Sequence, residues 1–262
     1  MNRESNHLPD ILRRIVERRR ESFSSLAEPD LPVRHRRLDG DHPFLAALES
    51  QKGRALIAEV KMGSPRLGSI EKRVDPEGQA RTYAQAGAAA LSVVVEPHFF
   101  FGSYGLLERC GQASGLPSLA KDFVVHPAQL VQARDAGARA ILLIAALYSA
   151  EDLFWWASRA RGLGLVPLVE LHGDGDLEKL QGSEWELVGV NNRDLRTFTV
   201  TLSHSEALAP RLPAGALRVA ESGITSGGDV ARLREAGYHA FLVGESLLLA
   251  EDPLAKAREL RG

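Results

Sequence analysis

The sequence predicts a single (β/α)8 barrel of the α/β class, a TIM barrel, carrying an N-terminal helical extension. After residue 50, eight short apolar runs follow one another, and each is trailed by a stretch of helical character. The runs are apolar on both faces, as strands must be when helices cover a parallel sheet. Several end in a charged or amide residue, at the end of a strand where barrels of this kind keep their chemistry. Eight β–α units fit a closed barrel better than an open sheet. A chain of 262 residues suits one such barrel.

Residues 1–50 read as the extension and residues 51–262 as the barrel. A first helix is expected over Leu8–Ser22, with Leu8, Ile11, Leu12, Ile15 and Val16 as its apolar stripe. Arg13, Arg14, Arg18, Arg19 and Arg20 would then form a solvated face. A polyanion site is the weaker reading, because the chain is not basic overall. Pro32 to Pro43 reads as a connector into a second short helix around Phe44–Glu49. The arm is expected to pack on the barrel rather than fold alone.

The expected strands are Leu56–Val60, Ala90–Val95, Ser118–Ala120, Ala140–Ile144, Leu165–Val169, Leu187–Val190, Leu217–Ala220 and Ala240–Val243. Between them, Asp75-Pro76-Glu77 supplies an N-cap, a proline for the first helical position and an early acid. Ser149-Ala150-Glu151-Asp152 is a weaker capping-box variant. Gly87, Gly137 and Gly237 each stand just before a strand, 50 and 100 residues apart, where a left-handed residue closes a helix.

Composition narrows the function classes. The formal charge of −2 offers no general attraction for nucleic acid or an anionic membrane. No apolar stretch approaches the roughly 20 residues of a spanning helix, and the charged N-terminus lacks a signal peptide's apolar core. Cytoplasm is the expected compartment and a monomer the expected state. The one cysteine, Cys110, excludes an intrachain disulfide and a thiolate metal cluster, and its helical setting suits a packed thiol.

The run Leu56–Val60 carries the main inconsistency. Ile57, Glu59 and Lys61 share one face, so a buried strand spends two same-face positions on charges. The strand ends bring together Glu59, Lys61 and Ser64 from the first unit, Phe100 from the second and Lys121 from the third. Glu170 follows from the fifth, Asn191 and Arg193 from the sixth, and Glu221 from the seventh. Mutual ion pairing could account for any one of them, since buried charges must pair. Crowded lysines and carboxylates also shift one another's proton affinity, which suits acid–base work. Ser222 and Gly223 after strand seven, with Gly244, Glu245 and Ser246 after strand eight, fit a phosphate pocket of backbone N–H groups.

These segments together resemble the indole-3-glycerol phosphate synthase family of tryptophan biosynthesis. They are Ile57-Ala58-Glu59-Val60-Lys61-Met62-Gly63-Ser64-Pro65, Glu96-Pro97-His98-Phe99-Phe100-Phe101-Gly102-Ser103, Lys121-Asp122-Phe123 and Pro167-Leu168-Val169-Glu170. Asn191-Asn192-Arg193-Asp194-Leu195, Val219-Ala220-Glu221-Ser222-Gly223-Ile224 and Leu242-Val243-Gly244-Glu245-Ser246-Leu247 complete the set. The resemblance implies a lyase that closes the pyrrole ring of 1-(2-carboxyphenylamino)-1-deoxyribulose 5-phosphate and releases carbon dioxide and water. It implies Lys121 as general acid on the ribulose carbonyl and Lys61 as holder of the anthranilate carboxylate. Glu170 would exchange a proton in the dehydration, while Glu59 and Glu221 orient the lysines. Asn191, Arg193 and Ser64 would contact substrate, and Phe100 would form an aromatic wall. Ser222, Gly223, Gly244, the Glu245 backbone and Ser246 would hold the phosphate. No metal or organic cofactor is expected.

Gly63, Arg66-Leu67 and Val95 depart from the family's usual residues, in or beside the first two loops. Two other readings stay open: a Schiff-base aldolase using Lys121 or Lys61, and a non-catalytic phosphate-binding barrel. Which carboxylate moves which proton is also open. The related phosphoribosylanthranilate isomerase is disfavoured, because its site resembles a cysteine/aspartate pair and Cys110 lies on a helix.

Overall fold

The computed structural model describes residues 9–65, 68–70, 74–194 and 196–262. Leu8, Arg66, Leu67 and Leu195, named above, lie outside them. The strands are β1 (Ala55–Val60), β2 (Ala90–Val94), β3 (Ser118–Lys121), β4 (Ala140–Ile144), β5 (Val166–Leu171), β6 (Leu187–Asn191), β7 (Leu217–Glu221) and β8 (Ala240–Val243). All pair in parallel with their sequence neighbours, and β1 joins both β8 and β2 to close the barrel. β3, β6 and β7 run one residue beyond the apolar stretch that announced them, and β5 runs two. The ladder is made of main-chain bonds and continues beneath a polar side chain, so Lys121, Glu170, Asn191 and Glu221 all lie within strands.

Side-chain alternation divides the apolar residues into two cores. Ile57, Leu119, Leu142, Leu168, Leu187, Val219 and Leu242 point inward and fill the barrel. Their neighbours, including Leu56, Val60, Leu91, Val169 and Phe241, point outward beneath the helices. The short helix α2 (Pro43–Glu49) closes the N-terminal end of the barrel with Phe44, Leu45 and Leu48. Above the inward apolar layer, the same row of β1, β3, β5, β6 and β7 continues into Glu59, Lys121, Glu170, Asn191 and Glu221.

Local signals act as read. Asp75 accepts the Gly78 N–H at 3.0 Å to open helix α3 (Pro76–Gln85). Ser149 accepts the Asp152 N–H at 3.0 Å to open α6 (Ala150–Gly162). Gly87, Gly137 and Gly237 take φ of 83°, 85° and 97°. Cys110 is buried in α4 (Tyr104–Ser114), and burial pushes its thiol up to about 12. No helix among the described residues is long and apolar enough to cross a membrane.

The N-terminal helix α1 spans Asp10–Phe23 rather than Leu8–Ser22, with Pro9, which has no N–H to donate, as its N-cap. Its arginines do not share one solvated face. Arg13 and Arg18 pair with Asp10, Glu17 and Glu21 at the surface, whereas Arg19 is buried against Asp122. The helix packs its apolar stripe on the barrel, and Arg19 lies on the buried edge of that stripe. Spacing alone could not identify which arginine would meet a carboxylate a hundred residues away.

Candidate active site

Lys121 stands at the centre of the barrel mouth. Its Nζ lies 3.0 Å from Glu221 Oε2, 3.5 Å from Glu59 Oε2 and 4.0 Å from Glu170 Oε2. Lys61 pairs with the other oxygen of Glu59 at 3.0 Å. Thus β1, β3, β5 and β7 deliver two ammonium groups and three carboxylates to one cluster.

Burial alone would drive the Lys121 ammonium toward neutrality, but Glu221, Glu59 and Glu170 together outweigh it and raise its pKa. Lys121 is therefore held as a cation, the form that can place an N–H on a developing oxyanion and not the form that attacks a carbonyl. Burial also opposes ionisation of Glu59, yet Lys61 and Lys121 prevail and hold it below the usual carboxylate range. Glu170 and Glu221 differ. Desolvation outweighs Lys121 for both, raising Glu170 and pushing Glu221 up to about 8. Fully ionised, the five groups would carry one excess negative charge in a desolvated site. A proton retained on Glu221 at neutral pH removes it.

Two glycines make this packing feasible. A Cβ on Gly189, in the middle of β6, would lie 2.3 Å from Glu221 Oε1. A Cβ on Gly244 would lie 2.3 Å from Glu59 Oε1. The sequence marks Gly244 as a phosphate-loop residue and gives Gly189 no role. The available signal was a glycine inside an apolar strand, which marks close approach by another group.

The surrounding residues form the walls. Glu96 accepts the N–H groups of His98, Phe99 and Phe100 at 2.9, 2.6 and 3.0 Å, fixing the loop that carries Phe100. The Phe100 ring then lies 5.9 Å from that of Phe123, an aromatic partner not chosen from sequence. Ser64 sits in a short two-stranded ribbon, Gly63–Ser64 against Gly68–Ser69. Gly63 suits this ribbon because a Cβ there would meet Gly68 O at 2.4 Å and the Phe101 ring at 2.5 Å. Val95 is buried in the outer core.

On the β6–β7–β8 side, Asn191 Oδ1 accepts the Arg193 N–H at 3.0 Å, and the Arg193 guanidinium reaches Glu245 at 3.5 Å. Asn192 donates to the carbonyls of Glu221 and Ser222 at 3.0 and 3.1 Å and accepts the Ser205 N–H at 3.0 Å. Asn192 thereby locks the turn after β7, where Ser222 and Gly223 take φ of 66° and 78°. Ser246 Oγ donates to Ile224 O at 2.8 Å, tying the loops after β7 and β8 together. A four-residue helix, Glu245–Leu248, follows its N-cap Gly244. The predicted residues thus fall into a charged cluster, an aromatic wall and a pair of linked glycine-containing loops.

Comparison with known proteins gives this arrangement a context. The model of the family described as indole-3-glycerol phosphate synthase matches residues 12–260. The indole-3-glycerol phosphate synthase of Koribacter versatilis is 46% identical over 213 residues, covering 81% of this chain and 82% of its own. That of Microcystis aeruginosa is 43% identical, covering 83% and 76%. That of Opitutus terrae is 39% identical over 264 residues, covering 97% and 99%. Among solved structures, a thiamine phosphate pyrophosphorylase from Pyrococcus furiosus superposes with a TM-score of 0.58 at 14% identity, covering 81% of this chain and 96% of its own. That likeness is one of fold alone.

Proposed function

The chain belongs to the indole-3-glycerol phosphate synthase family, and we propose that its barrel mouth carries out the family's decarboxylating ring closure through the cluster centred on Lys121. The substrate is a phosphorylated small molecule, 1-(2-carboxyphenylamino)-1-deoxyribulose 5-phosphate. The observation that carries this reading is a buried lysine surrounded by three glutamates at the mouth of a barrel.

In the proposed sequence, the Lys121 ammonium gives a proton to the ribulose carbonyl oxygen. At the same time the aromatic carbon bearing the carboxylate attacks the carbonyl carbon. The carbon–carbon bond forms, the carbonyl becomes a hydroxyl, and the positive charge that develops on the aryl nitrogen is stabilised by the ionised Glu59. Lys61 holds the carboxylate until the bond to carbon dioxide breaks and returns its electron pair to the ring. The hydroxyl then leaves as water with a proton from an acid of the cluster, and the methylene carbon beside nitrogen gives up a proton. Glu170, buried and raised in pKa, is suited to exchange a proton in that dehydration.

Phe100 and Phe123 flank the aromatic ring, while Asn191, Arg193 and Ser64 orient the rest of the substrate. Ser222, Gly223, Gly244, the Glu245 backbone and Ser246 receive the phosphate, on the two linked glycine-containing loops after β7 and β8. Residues 1–50 serve as an extension on the 51–262 barrel, consistent with the Arg19–Asp122 pair. We place the enzyme in the cytoplasm as a monomer, working without metal, organic cofactor, nucleic acid or membrane.

Purified protein with no added metal or cofactor is expected to convert the carboxyphenylamino ribulose phosphate to fluorescent indole-3-glycerol phosphate. Absence of product at high enzyme concentration would overturn the assignment. Borohydride trapping of a lysine adduct during turnover would return Lys121 to the aldolase reading.

A further inference from the structure

The mechanism above leaves His172, a buried titratable group beside the cluster, unused. His172 follows Glu170 by two residues, just past the end of β5, so both side chains extend the inward row that begins with Leu168. Its Nε2 lies 3.2 Å from Glu170 Oε1. Among the described residues, neither ring nitrogen has a formed hydrogen bond. Buried nitrogens without partners are costly, and their persistence calls for a reason.

The two oxygens of Glu170 face different groups. Oε2 lies 4.0 Å from Lys121 Nζ, toward the reacting centre, whereas Oε1 faces His172. We propose that His172 is a positioning residue for Glu170, delivering an Nε2–H to Oε1 so that Oε2 is turned toward the substrate for proton exchange. The contact distance is already within hydrogen-bonding range, so formation of the bond is a matter of orientation rather than approach. This inference rests on the reading of Glu170 as the dehydration acid/base.

Other groups bear on both partners. Glu170 is faced by Lys121 from β3, Glu221 from β7, Glu59 from β1 and Asn191 from β6. His172 is faced by Asp176, Glu221, Lys121 and Asp194, and by His204, which hydrogen-bonds its backbone. Desolvation prevails over those carboxylates and keeps the imidazole neutral, with one ring proton available to donate.

The test compares His172→Leu with His172→Gln, whose amide can still donate. Losing a donor disfavours the Glu170 carboxylate, so the limb of the kcat–pH profile governed by Glu170 should move to higher pH whether Glu170 acts as acid or base. His172→Leu should also lower kcat about tenfold with KM changed less than about threefold, and His172→Gln should recover most of both. An unmoved limb in His172→Leu, or an equal shift in His172→Gln, overturns the inference. Glu170→Gln separates it from the underlying reading. If Glu170→Gln abolishes turnover while His172→Leu leaves the profile unchanged, only the His172 inference fails. If Glu170→Gln remains near wild type, the role of Glu170 fails. Long-range nitrogen NMR of the unmodified protein gives a check that needs no folded variant: the ring proton should sit on Nε2, and a proton on Nδ1 with bare Nε2 overturns the inference.

Discussion

Lys121 and Asp122 are neighbours in sequence, each at the centre of a buried polar network, and the two networks are built on opposite terms. Asp122 is satisfied: it accepts from Arg19, Tyr104, Gln129 and the Phe123 N–H, at 2.9 Å from both Gln129 and Phe123 and 2.7 Å from Tyr104. Lys121 faces three carboxyl groups, and two of them, Glu170 and Glu221, are pressed against each other, an arrangement that only a retained proton relieves. A second satisfied knot lies on the outer wall, where Arg161 grips both oxygens of Glu186 at 2.8 and 2.7 Å and Glu186 accepts the Leu38 N–H at 2.8 Å. Satisfied knots fasten the N-terminal arm to the barrel. In the function proposed above, the crowded cluster is the part of the barrel that meets the substrate. The difference is one of pairing rather than burial, since both kinds lie deep in the protein.

The largest expected effect tests the crowded cluster. Lys121→Ala should lower kcat by about 10²–10⁴-fold while the protein stays folded and substrate still binds, as isothermal titration can measure. Near-wild-type turnover would remove Lys121 from the chemistry. The same class of substitution in a satisfied knot should act on folding instead. Glu186→Ala leaves Arg161 buried without its carboxylate and should cost about 3–5 kcal/mol in denaturant unfolding. If it lowers activity at unchanged stability, the distinction between the two networks collapses.

A third prediction concerns the proton held by Glu221. Its folded pKa of about 8 exceeds the ordinary value of 4.5, so the folded state binds the extra proton between those limits. Stability from this group is present at low pH and is lost as pH rises toward and through 8. Glu221→Gln should therefore gain stability relative to wild type across that window, measured as the difference between their unfolding curves at each pH. A difference that does not change with pH would mean that Glu221 is already ionised. The smallest effect is expected at the rim. Gly63→Ala must displace the Phe101 ring or the Gly68 carbonyl, and should raise KM about two- to fivefold with little change in thermal unfolding, a modest overpacking effect.

Much of the molecule was legible in one dimension. The eight strands, the helix caps at Asp75 and Ser149, the packed thiol of Cys110 and the charged positions Glu59, Lys61, Lys121, Glu170 and Glu221 all follow from local patterns. Period-two alternation, capping chemistry and a charge in an apolar run are read within a few residues. The ordered motifs carried the resemblance to the family.

The partnerships were not legible, because they join residues far apart in the chain. Five arginines on α1 look alike until the helix docks and one of them meets Asp122, 103 residues away. Gly189 reads as a weak point in β6 until Glu221 is seen occupying the space its side chain would fill. His172 is an ordinary residue after a strand until its ring is found 3.2 Å from Glu170. The sequence by itself determined the barrel and which residue types line its mouth, since hydrophobic periodicity and strand-end chemistry are local. Only the tertiary structure decided which charges are satisfied and which are crowded together, because that depends on the closure of the barrel and the desolvation it imposes.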